Sequence, residues 1–518
     1  MHDAVPLLHD FLTHSACRLP DKVALVCARQ RVTYRELDRS SNAIAQALIA
    51  LGVARGDRVL IFSGNTVEAA ASFWAVLKAG AVASVVNPAT KADKLGFLIN
   101  DCRPAALIAE ARLHEAWRAP AASSHLKAVI VCGDAEPLAG AARIVRWSDA
   151  RAMGDPQHRP VRRSIDIDLA AIIYTSGSTG EPKGVMLTHR NMLAAAASVS
   201  GYLGLAEDDV VLDVLPFSFN YGLYQMIMSV RQGARLVLEN SFAFPEQVLR
   251  LMVDEAVTAF PGVPTIFAIL AGMKSAREHD LSRVRLVTNT AAPLPQRHIA
   301  ALRQIFPSAR IYSMYGLTEC KRCTYLPPED LERKAGSVGI PIPNTELWIV
   351  DEHGRKVPPN TPGQLVIRGA TVMQGYWEKP EATAAVLKPG PLPGERVLYT
   401  GDCCRLDEEG YLYFIARMDD IIKTRGEKVA PAEVERVLFD IDGVKEAAVV
   451  GVPDPILGEA VKAFVVLEKG AQLSEKQLLA RCHQGLEPYA VPKYVEFRAE
   501  LPKTSTGKIT KSGLRAAA

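Results

Sequence analysis

Apolar and polar positions alternate along the first four hundred residues in the pattern of layered α/β units. Short apolar runs at residues 59–62 and 82–86 flank the segment 67–77, which has the length and composition of a helix. Strands that alternate with helix-length segments are typical of largely parallel sheets covered by helices. The pattern therefore predicts a large α/β domain at the start of the chain.

A different pattern follows between residues 347 and 415. The apolar runs 347–350, 364–368 and 411–415 are separated by turns that contain glycine and proline. Such spacing is typical of antiparallel strands joined by short connections. We therefore expect an antiparallel β module at the end of the large domain.

A second, compact α+β pattern begins after Arg417. The predicted elements are a helix from Pro431, strands at 447–450 and 463–466, and a helix near Glu475, with Ser474 and Gln477 at capping-box spacing. About one hundred residues suffice for a separate domain. The sequence therefore predicts two domains, 1–417 and 418–518, of which the second is small.

Composition is that of an ordinary globular enzyme. The chain has 518 residues, more than a single core usually serves, with 48% hydrophobic and 23% charged residues. Its formal net charge of +3 is too small to indicate binding to nucleic acid or to an anionic membrane. Binding partners therefore have to be inferred from local motifs.

Neither a secretory signal nor a membrane span is expected from the sequence. The first ten residues lack a basic start and a long apolar core, and the most apolar stretch, 69–89, is interrupted by Lys78 and Gly80. Nine cysteines, an odd number, are scattered along the chain, which favours reduced thiols. We expect a cytoplasmic protein, in which Cys320-x-x-Cys323 is a weak indication of zinc.

Residues 174–184 form a hydroxyl- and glycine-rich stretch directly after the apolar run 169–173. Glycines let a backbone approach an anion closely, hydroxyl groups donate hydrogen bonds, and lysine adds a positive charge. The residues with these properties are Thr175, Ser176, Gly177, Ser178, Thr179, Gly180 and Lys183. A strand that ends in such a loop is predicted to bind a polyphosphate, and the alternative is a Ser/Gly-rich surface linker.

This loop differs from the common nucleotide-binding loop G-x-x-x-x-G-K-[ST] at two positions. Pro182 stands where that motif needs the glycine before its lysine, and Gly184 replaces the hydroxyl residue that binds magnesium. The sequence therefore argues against kinase-type and GTPase-type chemistry.

Four further motifs follow the polyphosphate loop. They are Tyr315-Gly-Leu-Thr-Glu319, Tyr399-Thr-Gly-Asp402, Arg417-Met-Asp-Asp-Ile-Ile-Lys423 leading into residues 431–435, and Pro502-Lys-Thr-Ser-Thr-Gly-Lys508. Together with the loop, this series resembles the signature of the adenylate-forming superfamily, which contains acyl- and aryl-CoA synthetases, adenylation domains of peptide synthetases and beetle luciferases. The resemblance covers essentially all 518 residues.

The resemblance implies a reaction between two anions, a carboxylate and the triphosphate of ATP. A carboxylate is a poor electrophile, and coupling it to the α-phosphate with release of pyrophosphate gives an acyl-adenylate. The protein has to cancel the repulsion between the two reactants and align them, which requires positive charge and a metal ion. ATP and Mg²⁺ are therefore the expected cofactors.

The motifs also imply residue roles. Lys508 would bridge the carboxylate and the ribose or α-phosphate oxygens, while Thr318 and Glu319 would contact the α-phosphate and hold Mg²⁺, a cation that prefers carboxylate and phosphate oxygens. Asp402 and Arg417 would bind the ribose. The residues that would surround the adenine are Ala291, Ala292, Pro293, Tyr315 and Gly316. Outside the motif series, the lysine would be an ordinary exposed residue, and the ribose-binding residues would be surface ion-pair groups of little energetic value.

The segment 215–222 resembles the part of the family that flanks the acid pocket. Amino-acid-activating relatives have an aspartate there to pair with the substrate ammonium, and Asn220 carries no charge, so an α-amino acid is disfavoured. Phe219 stands where many CoA ligases have a histidine or aromatic gate. The other predicted pocket residues are Tyr221, Tyr224, Asn289 and Met314. An aryl acid and a medium-length acyl chain both remain open, and core packing is the alternative for Tyr224.

The second substrate is expected to be a thiol. CoA and the phosphopantetheine arm of a carrier protein present the same thiol, and a carrier protein would act in trans. The basic residues Lys423, Arg425 and Lys428 suit CoA phosphates or an acidic carrier surface, or form a solvated hairpin. The resemblance also implies that the C-terminal domain rotates about Asp419 after adenylation, which withdraws Lys508 and admits the thiol.

Two other functions agree with the same motifs. A luciferase-like oxygenase would oxidise the adenylate instead of transferring it to a thiol, and a non-catalytic adenylate-binding protein would release no pyrophosphate. Lys508, Glu319 and Asp402 argue against a pure binder, because binding alone needs neither a metal carboxylate nor a mobile lysine.

Overall fold

Mainly parallel sheets dominate the N-terminal part of the chain, as the alternating pattern predicts. The computed structural model describes residues 6–122, 125–133, 143–176, 182–290, 294–424, 427–503 and 509–516. Within these residues, strands alternate with helices up to about residue 315, and antiparallel strands prevail after it.

The helices and strands have the following bounds. The α-helices are α1 (Asp10–Arg18), α2 (Tyr34–Ala50), α3 (Val67–Lys78), α4 (Ala92–Cys102), α5 (His114–Trp117), α6 (Trp147–Met153), α7 (His189–Leu203), α8 (Asn220–Gln232), α9 (Pro245–Asp254), α10 (Pro264–Gly272), α11 (Gln296–Ile305), α12 (Pro380–Val386), α13 (Pro431–Phe439), α14 (Glu475–Gly485) and α15 (Lys511–Ala516). The strands are β1 (Val23–Cys27), β2 (Gln30–Thr33), β3 (Arg58–Phe62), β4 (Val82–Val86), β5 (Ala106–Glu110), β6 (Ala128–Cys132), β7 (Arg143–Arg146), β8 (Leu169–Ser176), β9 (Pro182–Thr188), β10 (Val210–Asp213), β11 (Arg235–Leu238), β12 (Ala259–Gly262), β13 (Leu286–Asn289), β14 (Arg310–Tyr315), β15 (Thr324–Leu326), β16 (Ile340–Pro341), β17 (Thr345–Val350), β18 (Gly363–Gly369), β19 (Gly375–Tyr376), β20 (Leu387–Pro389), β21 (Arg396–Leu406), β22 (Leu412–Arg417), β23 (Ile422–Thr424), β24 (Glu427–Val429), β25 (Val444–Asp454), β26 (Gly458–Leu467) and β27 (Tyr494–Phe497).

One large sheet has the strand order β16-β15-β14-β13-β12-β10-β11-β1-β2. The strands from β14 to β1 pair in parallel, and β15 and β2 pair antiparallel at either side of them. Because parallel strands end at the same edge, Asn289 at the end of β13 and Tyr315 at the end of β14 lie at one edge of the sheet. Ligands of open α/β sheets bind at this carboxyl edge.

A second sheet has the order β19-β9-β8-β4-β3-β5-β6-β7. Its strands pair in parallel from β8 to β7, whereas β8, β9 and β19 are antiparallel to one another. Apolar side chains of β3, β5 and β6 pack with α4 in a core around the fully buried Trp117. This core supports the hairpin β8–β9, which flanks the predicted polyphosphate loop.

The C-terminal strands form a sheet of order β24-β23-β26-β25, with β27 beside β26. Along β25, Ala447 and Val449 pack in a core with α13 and α14, while Ala448 and Val450 pack in a second core that includes Leu514 of α15. Successive side chains of a strand face opposite sides. Both faces of this sheet are therefore covered, which explains the continuous apolar run in β25.

The contacts divide the chain into two compact units. The first contains residues 1–335, 341–346 and 368–397, and the second contains residues 336–340, 347–367 and 398–518. The antiparallel strands β21 and β22 are thus grouped largely with the C-terminal sheet. The domain boundary proposed after residue 417 falls inside the second unit and stays a prediction.

Most predicted elements are present with modest extensions at their ends. The helix expected at 67–77 is α3, and the three antiparallel runs are β17, β18 and β22. The capping box of α14 is confirmed, since the Ser474 and Gln477 side chains each accept a hydrogen bond from the backbone amide of the other. The predicted fold class is confirmed. In the described part of the chain, no helix has both the length and the apolar character to cross a bilayer.

Helix α8 supplies half of the predicted acid-pocket residues, and Gly222 in its first turn packs against the preceding loop. A Cβ atom on Gly222 would lie 2.5 Å from the Leu215 carbonyl oxygen and 2.6 Å from that of Pro216. Both are backbone atoms that cannot move aside freely. We expect Gly222→Ala to lower the free energy of unfolding by about 1–3 kcal/mol, as overpacking does, measured by urea unfolding followed by circular dichroism.

Gly201→Ala is the matched control in the neighbouring helix α7. No atom lies within 4 Å of a Cβ atom on Gly201, and glycine in a helix costs about 0.5–1 kcal/mol relative to alanine. This variant should unfold at the same or a higher urea concentration than the unmodified protein. Equal unfolding midpoints for the two variants would contradict the packing described for Gly222.

Candidate active site

A hairpin flanks the predicted polyphosphate loop. The ladder between β8 and β9 pairs Thr175 with Lys183 and Ser176 with Pro182. The Thr175 hydroxyl donates to the Lys183 carbonyl oxygen at 3.4 Å. The loop residues predicted to bind phosphate, Gly177, Ser178, Thr179 and Gly180, lie outside the described residues. The hairpin brings the first and last predicted residues of the loop, Thr175 and Lys183, side by side.

Tyr376 connects this hairpin with the predicted metal carboxylate. Its strand β19 pairs with β9, and the Trp377 amide donates to the Gly184 carbonyl oxygen at 2.7 Å. The Lys183 ammonium lies 5.4 Å from the centroid of the Tyr376 ring. The Tyr376 hydroxyl donates to Glu319 Oε1 at 2.8 Å. One side chain thus contacts both the lysine and the carboxylate that the sequence assigns to ATP binding.

The chain reverses tightly between β14 and β15. The Cys323 amide donates to the Tyr315 carbonyl oxygen at 2.9 Å. A Cβ atom on Gly316 would lie 2.7 Å from both the backbone nitrogen and the Cα of Arg322, so only glycine fits there. Arg322 itself has a positive φ of 63°. We call residues 315–323 the reversal loop, and it presents Thr318 and Glu319 on a single 3-10 turn.

The Glu319 carboxylate suits Mg²⁺ in the presence of a nucleotide. The backbone also fixes this residue, because its carbonyl oxygen accepts from the Met373 amide at 2.8 Å. Among the described residues, no group of three or more His, Cys, Asp and Glu side chains could hold a metal ion. Mg²⁺ ordinarily binds one or two carboxylates together with substrate phosphates. A single oriented carboxylate beside the hairpin that flanks the predicted polyphosphate loop fits this pattern.

The predicted acid-pocket residues come together from α8, β13 and β14. Tyr221 and Tyr224 are 3% and 1% exposed, and the half-buried Phe219 contacts Tyr221 edge to face at a centroid distance of 6.1 Å. The Tyr221 hydroxyl bonds to Thr288, which precedes Asn289 in β13. Met314 of β14 is also buried. These contacts join Phe219 and Tyr221 to β13, Met314 contacts Tyr202, and the burial of Tyr224 agrees equally with core packing.

Two cations that the sequence analysis missed adjoin these tyrosines. The Lys321 ammonium donates to the Asn220 carbonyl oxygen at 3.1 Å and lies 4.3 Å from the centroid of the Tyr224 ring. The Arg322 guanidinium lies 4.9 Å from the centroid of the Tyr221 ring. Burial lowers the pKa of Lys321 well below its ordinary value, and the charge of Arg322 adds to this effect. The Arg322 guanidinium thus adds a cation beside the aromatic rings of the predicted pocket.

Asp402 and Arg417 form an ion pair. They lie opposite each other on β21 and β22, with Arg417 Nη1 2.9 Å from Asp402 Oδ1. The Asp402 side chain is 1% exposed, whereas that of Arg417 is 42% exposed. The sequence also allows these two residues to be a surface ion pair of little energetic value. The carboxylate, however, is buried and its orientation is fixed, so the pair is not fully exposed. Their roles at the ribose stay predictions.

Several predicted residues lie outside the described part of the chain. They are Lys508 and the predicted adenine loop Ala291, Ala292 and Pro293, together with Arg425 of the basic cluster. Asp419, the proposed hinge, is exposed, and its carbonyl oxygen accepts a hydrogen bond from Arg515 at 3.4 Å. The roles of these residues are not tested by the structure.

The cysteines agree with the expected reduced state. None of the nine forms a disulfide bond with another described cysteine. Cys320 Sγ and Cys323 Sγ lie 2.9 Å apart in the buried part of the reversal loop, and burial raises the pKa of the Cys320 thiol well above its ordinary value. No third metal ligand joins them among the described residues. The weak indication of zinc therefore gains no support.

The sequence carried only slight signals for Tyr376, Lys321 and Arg322. Tyr376 lies 57 residues after its partner Glu319, in a short strand whose pairing cannot be read from periodicity. Lys321 and Arg322 directly follow the Glu319 motif, but lysine and arginine are normally exposed. A search for charged residues adjoining the motif would have found the pair, though not its burial.

Comparison with known proteins identifies relatives over nearly the whole chain. Residues 12–377 match the family model described as AMP-binding enzyme, and residues 433–508 match the model described as AMP-binding enzyme C-terminal domain. The chain is 32% identical to the long-chain-fatty-acid–CoA ligase of Bacillus subtilis (strain 168), in an alignment that covers 98% of this chain and 94% of that protein. It is 34% identical to the feruloyl-CoA synthase of Amycolatopsis sp, with 93% of each protein covered.

The structure is also similar to solved structures. The crystal structure of ATP-bound MatB from Rhodopseudomonas palustris superimposes with a TM-score of 0.88 at 29% sequence identity, and the match covers 98% of each chain.

The hydrogen bond from Tyr376 to Glu319 can be removed without removing the ring beside Lys183. We expect Tyr376→Phe to weaken Mg²⁺-dependent ATP binding by about tenfold or more, because a hydrogen bond to a charged group contributes about 1.5–3 kcal/mol. Isothermal titration calorimetry with ATP over a series of Mg²⁺ concentrations measures this effect.

Tyr413→Phe is the control for the same chemical change elsewhere. The Tyr413 hydroxyl donates to Asp407 Oδ2 at 3.3 Å in the second unit. This variant should retain the unmodified Mg²⁺ dependence. If Tyr376→Phe retained it as well, Tyr376 would have no part in orienting the metal carboxylate.

Proposed function

Because the chain belongs to the family of AMP-binding enzymes, we infer that it is an ATP-dependent ligase that joins a carboxylic acid to AMP and then transfers the acyl group to the thiol of CoA. The match of residues 12–377, which contain the hairpin β8–β9 and the reversal loop, is the observation that carries this inference. The resemblance to the adenylate-forming superfamily is confirmed, and so is the expected AMP-forming ligase activity.

The first half-reaction forms an acyl-adenylate. A carboxylate oxygen of the acid attacks the α-phosphorus of ATP. The bond between the α-phosphorus and the oxygen that bridges the α- and β-phosphates breaks, and pyrophosphate leaves with the electron pair of that bond. Mg²⁺, when bound, supplies charge neutralisation at the phosphates. The protein contributes the Lys183 ammonium, the Glu319 carboxylate held by Tyr376, and the Thr318 hydroxyl as a donor to the α-phosphate. Positioning and electrostatic stabilisation of this kind dominate phosphoryl chemistry.

The ribose site is proposed at Asp402. A carboxylate accepts hydrogen bonds from both hydroxyls of a ribose diol, provided that its orientation is fixed. The buried Asp402 side chain meets this condition, because Arg417 holds one carboxylate oxygen and β21 anchors the backbone. Arg417 is partly exposed and is therefore able to contact the sugar from the same side.

The substrate acid is proposed to be an aryl acid or a medium-length acyl chain without an ammonium group. The aromatic rings of Tyr221 and Tyr224 support an apolar acyl group. Lys321 contacts the backbone of Asn220, where amino-acid-activating relatives have an aspartate. The Arg322 guanidinium beside Tyr221 would repel a substrate ammonium, which strengthens the argument against α-amino acids. The names of the relatives, which include a fatty-acid ligase and a feruloyl-CoA synthase, agree with either acid class.

CoA is the proposed acceptor in preference to a carrier protein. Both relatives described above are named for CoA thioesters, and this is the support for CoA in this chain. A carrier protein acting in trans is the alternative. In either case, the thiolate attacks the acyl carbon of the adenylate, and AMP leaves.

A screen of free acids by ATP–pyrophosphate exchange tests the proposed function. We expect exchange only when a suitable acid is present, followed by thioester formation with CoA and little or none with a phosphopantetheinylated carrier protein. Absence of exchange with every aryl, short, medium and long acid would contradict the ligase. Oxygen consumption with ATP and acid would instead favour a luciferase-like oxygenase.

Lys508→Ala separates the two half-reactions. The proposed role of Lys508 in adenylation rests on its motif, and we expect the substitution to reduce acid-dependent pyrophosphate exchange by a factor of about 100 or more, because one such electrostatic contact lowers the barrier by about 3 kcal/mol. Thioester formation from supplied acyl-adenylate and CoA should persist, since that step does not use this lysine.

Lys469→Ala is the control for loss of a positive charge from the same part of the sequence, residues 418–518. Lys469 is exposed and follows β26, so both half-reactions should retain their rates. If Lys508→Ala also left both rates unchanged, or lowered both equally, the role given to Lys508 would be wrong.

A further inference from the structure

Two adjacent cations, Lys321 and Arg322, are buried beside the predicted acid pocket. Each residue has only 4% of its surface exposed. Lysine and arginine are almost never buried to this extent without a partner of opposite charge. Within the described ranges, no carboxylate lies at ion-pair distance from either side chain. No described acidic group therefore lies close enough to these two side chains to neutralise a positive charge directly.

Asp213 is a buried carboxyl group that forms no ion pair with either cation in the described part of the protein. Its Oδ1 accepts a hydrogen bond from the Leu215 amide at 3.1 Å, and its Oδ2 has no partner in the described part of the protein. Burial raises the pKa of Asp213 well above its ordinary value, although the charge of Lys321 opposes this effect.

Two polar groups, one on Arg322 itself and one on the neighbouring Tyr224, are able to donate further hydrogen bonds. Tyr224 Oη and Arg322 Nε are buried, and neither has a partner among the described residues. Buried donors without partners are uncommon and require an explanation. Lys321 lies over the Tyr224 ring and Arg322 over the Tyr221 ring. Cations and unused donors thus converge on the two tyrosines of the pocket.

The reversal loop separates these cations from the phosphate end of the site. The Glu319 side chain extends to Tyr376 of β19. The Tyr376 ring lies beside Lys183 of the hairpin β8–β9. The Lys321 side chain, two residues later, extends to Asn220 and Tyr224 of α8. The cations therefore face the part of the pocket that would hold the acyl group, and the reacting carboxylate belongs at the other end.

We propose that Lys321 and Arg322 bind a second carboxylate of the substrate, at the end remote from the carboxylate that is joined to AMP. This proposal rests on the proposed function and specifies its substrate class as dicarboxylic acids. A carboxylate supplies the missing negative charge, accepts two parallel hydrogen bonds from a guanidinium, and accepts a further one from Tyr224 Oη. The aromatic rings hold the carbon chain or ring between the two acidic groups.

Matched pairs of acids test the proposal on the unmodified protein. The pairs are hexanoate and adipate, octanoate and suberate, and benzoate and terephthalate, each measured by ATP–pyrophosphate exchange. In at least one pair, kcat/KM should be higher for the dicarboxylate by a factor of about ten to one hundred, the range expected for hydrogen bonds between charged groups. Higher kcat/KM for the monocarboxylate in every pair would overturn the proposal while leaving the proposed ligase function intact.

Lys321→Met and Arg322→Met test the two residues themselves. Each should reduce kcat/KM for the preferred dicarboxylate by about one hundredfold and leave kcat/KM for its monocarboxylate partner unchanged or raised. The loss should reside mainly in KM, because the second carboxylate is bound equally before and during the reaction. Equal losses for both acids would overturn the proposal, since they would place the cations at the reacting carboxylate or in a purely structural role.

Two further measurements distinguish a specific role of Lys321 in acid preference from a general effect of charge and from a structural role. Lys356→Met removes a lysine that lies over the Trp348 ring in the second unit, and it should leave the acid preference unchanged. Thermal unfolding of Lys321→Met should occur at an equal or higher temperature, because an apolar residue replaces a buried cation without a counter-ion. If no acid of any kind supports exchange in the unmodified protein, the proposed function itself fails.

Discussion

The reversal of the chain between Tyr315 and Cys323 is the constraint on which the rest of the site depends. Gly316 approaches the backbone of Arg322 so closely that a side chain has no room there, and the Cys323 amide closes the loop on the Tyr315 carbonyl oxygen. The loop starts at the carboxyl edge of a parallel sheet, where the strand ends of α/β proteins present their ligands. Close backbone packing therefore constrains the positions of its residues.

This geometry directs the side chains of Glu319 and Lys321 to two different sides of the reversal loop. The Glu319 side chain extends from the loop towards Tyr376 and the hairpin β8–β9, and the Lys321 side chain extends towards α8. Two unit charges 4 Å apart interact by about 4 kcal/mol at the effective dielectric constant of a protein surface. Repulsion of that size between a carboxylate and a triphosphate would prevent reaction unless cations and a metal ion offset it. The negative charge of a second acidic group on the substrate would also have to be neutralised, which is the role proposed for Lys321 and Arg322.

Much of the fold follows from the sequence because it depends on local patterns. Alternating apolar runs and helix-length segments gave the parallel sheets, and the Ser474 capping box marked the start of α14. The site follows only in part. The Glu319 motif and the hydroxyl-rich loop are recognisable as strings, but the contact of Tyr376 with Glu319 depends on the pairing of β19 with β9. The burial of Lys321 depends on tertiary packing against α8, which no local pattern encodes.

The most direct test of this account is a crystal structure with a non-reactive sulfamoyl analogue of the adenylate of a dicarboxylic acid. The account predicts that the sulfamoyl group lies beside Thr318 and the β8–β9 hairpin. The acyl group should pass Tyr221, and its distal carboxylate should lie within hydrogen-bond distance of the Lys321 ammonium and the Arg322 guanidinium. A nucleotide bound away from the hairpin, or a distal carboxylate left in solvent with both cations unchanged, would contradict it.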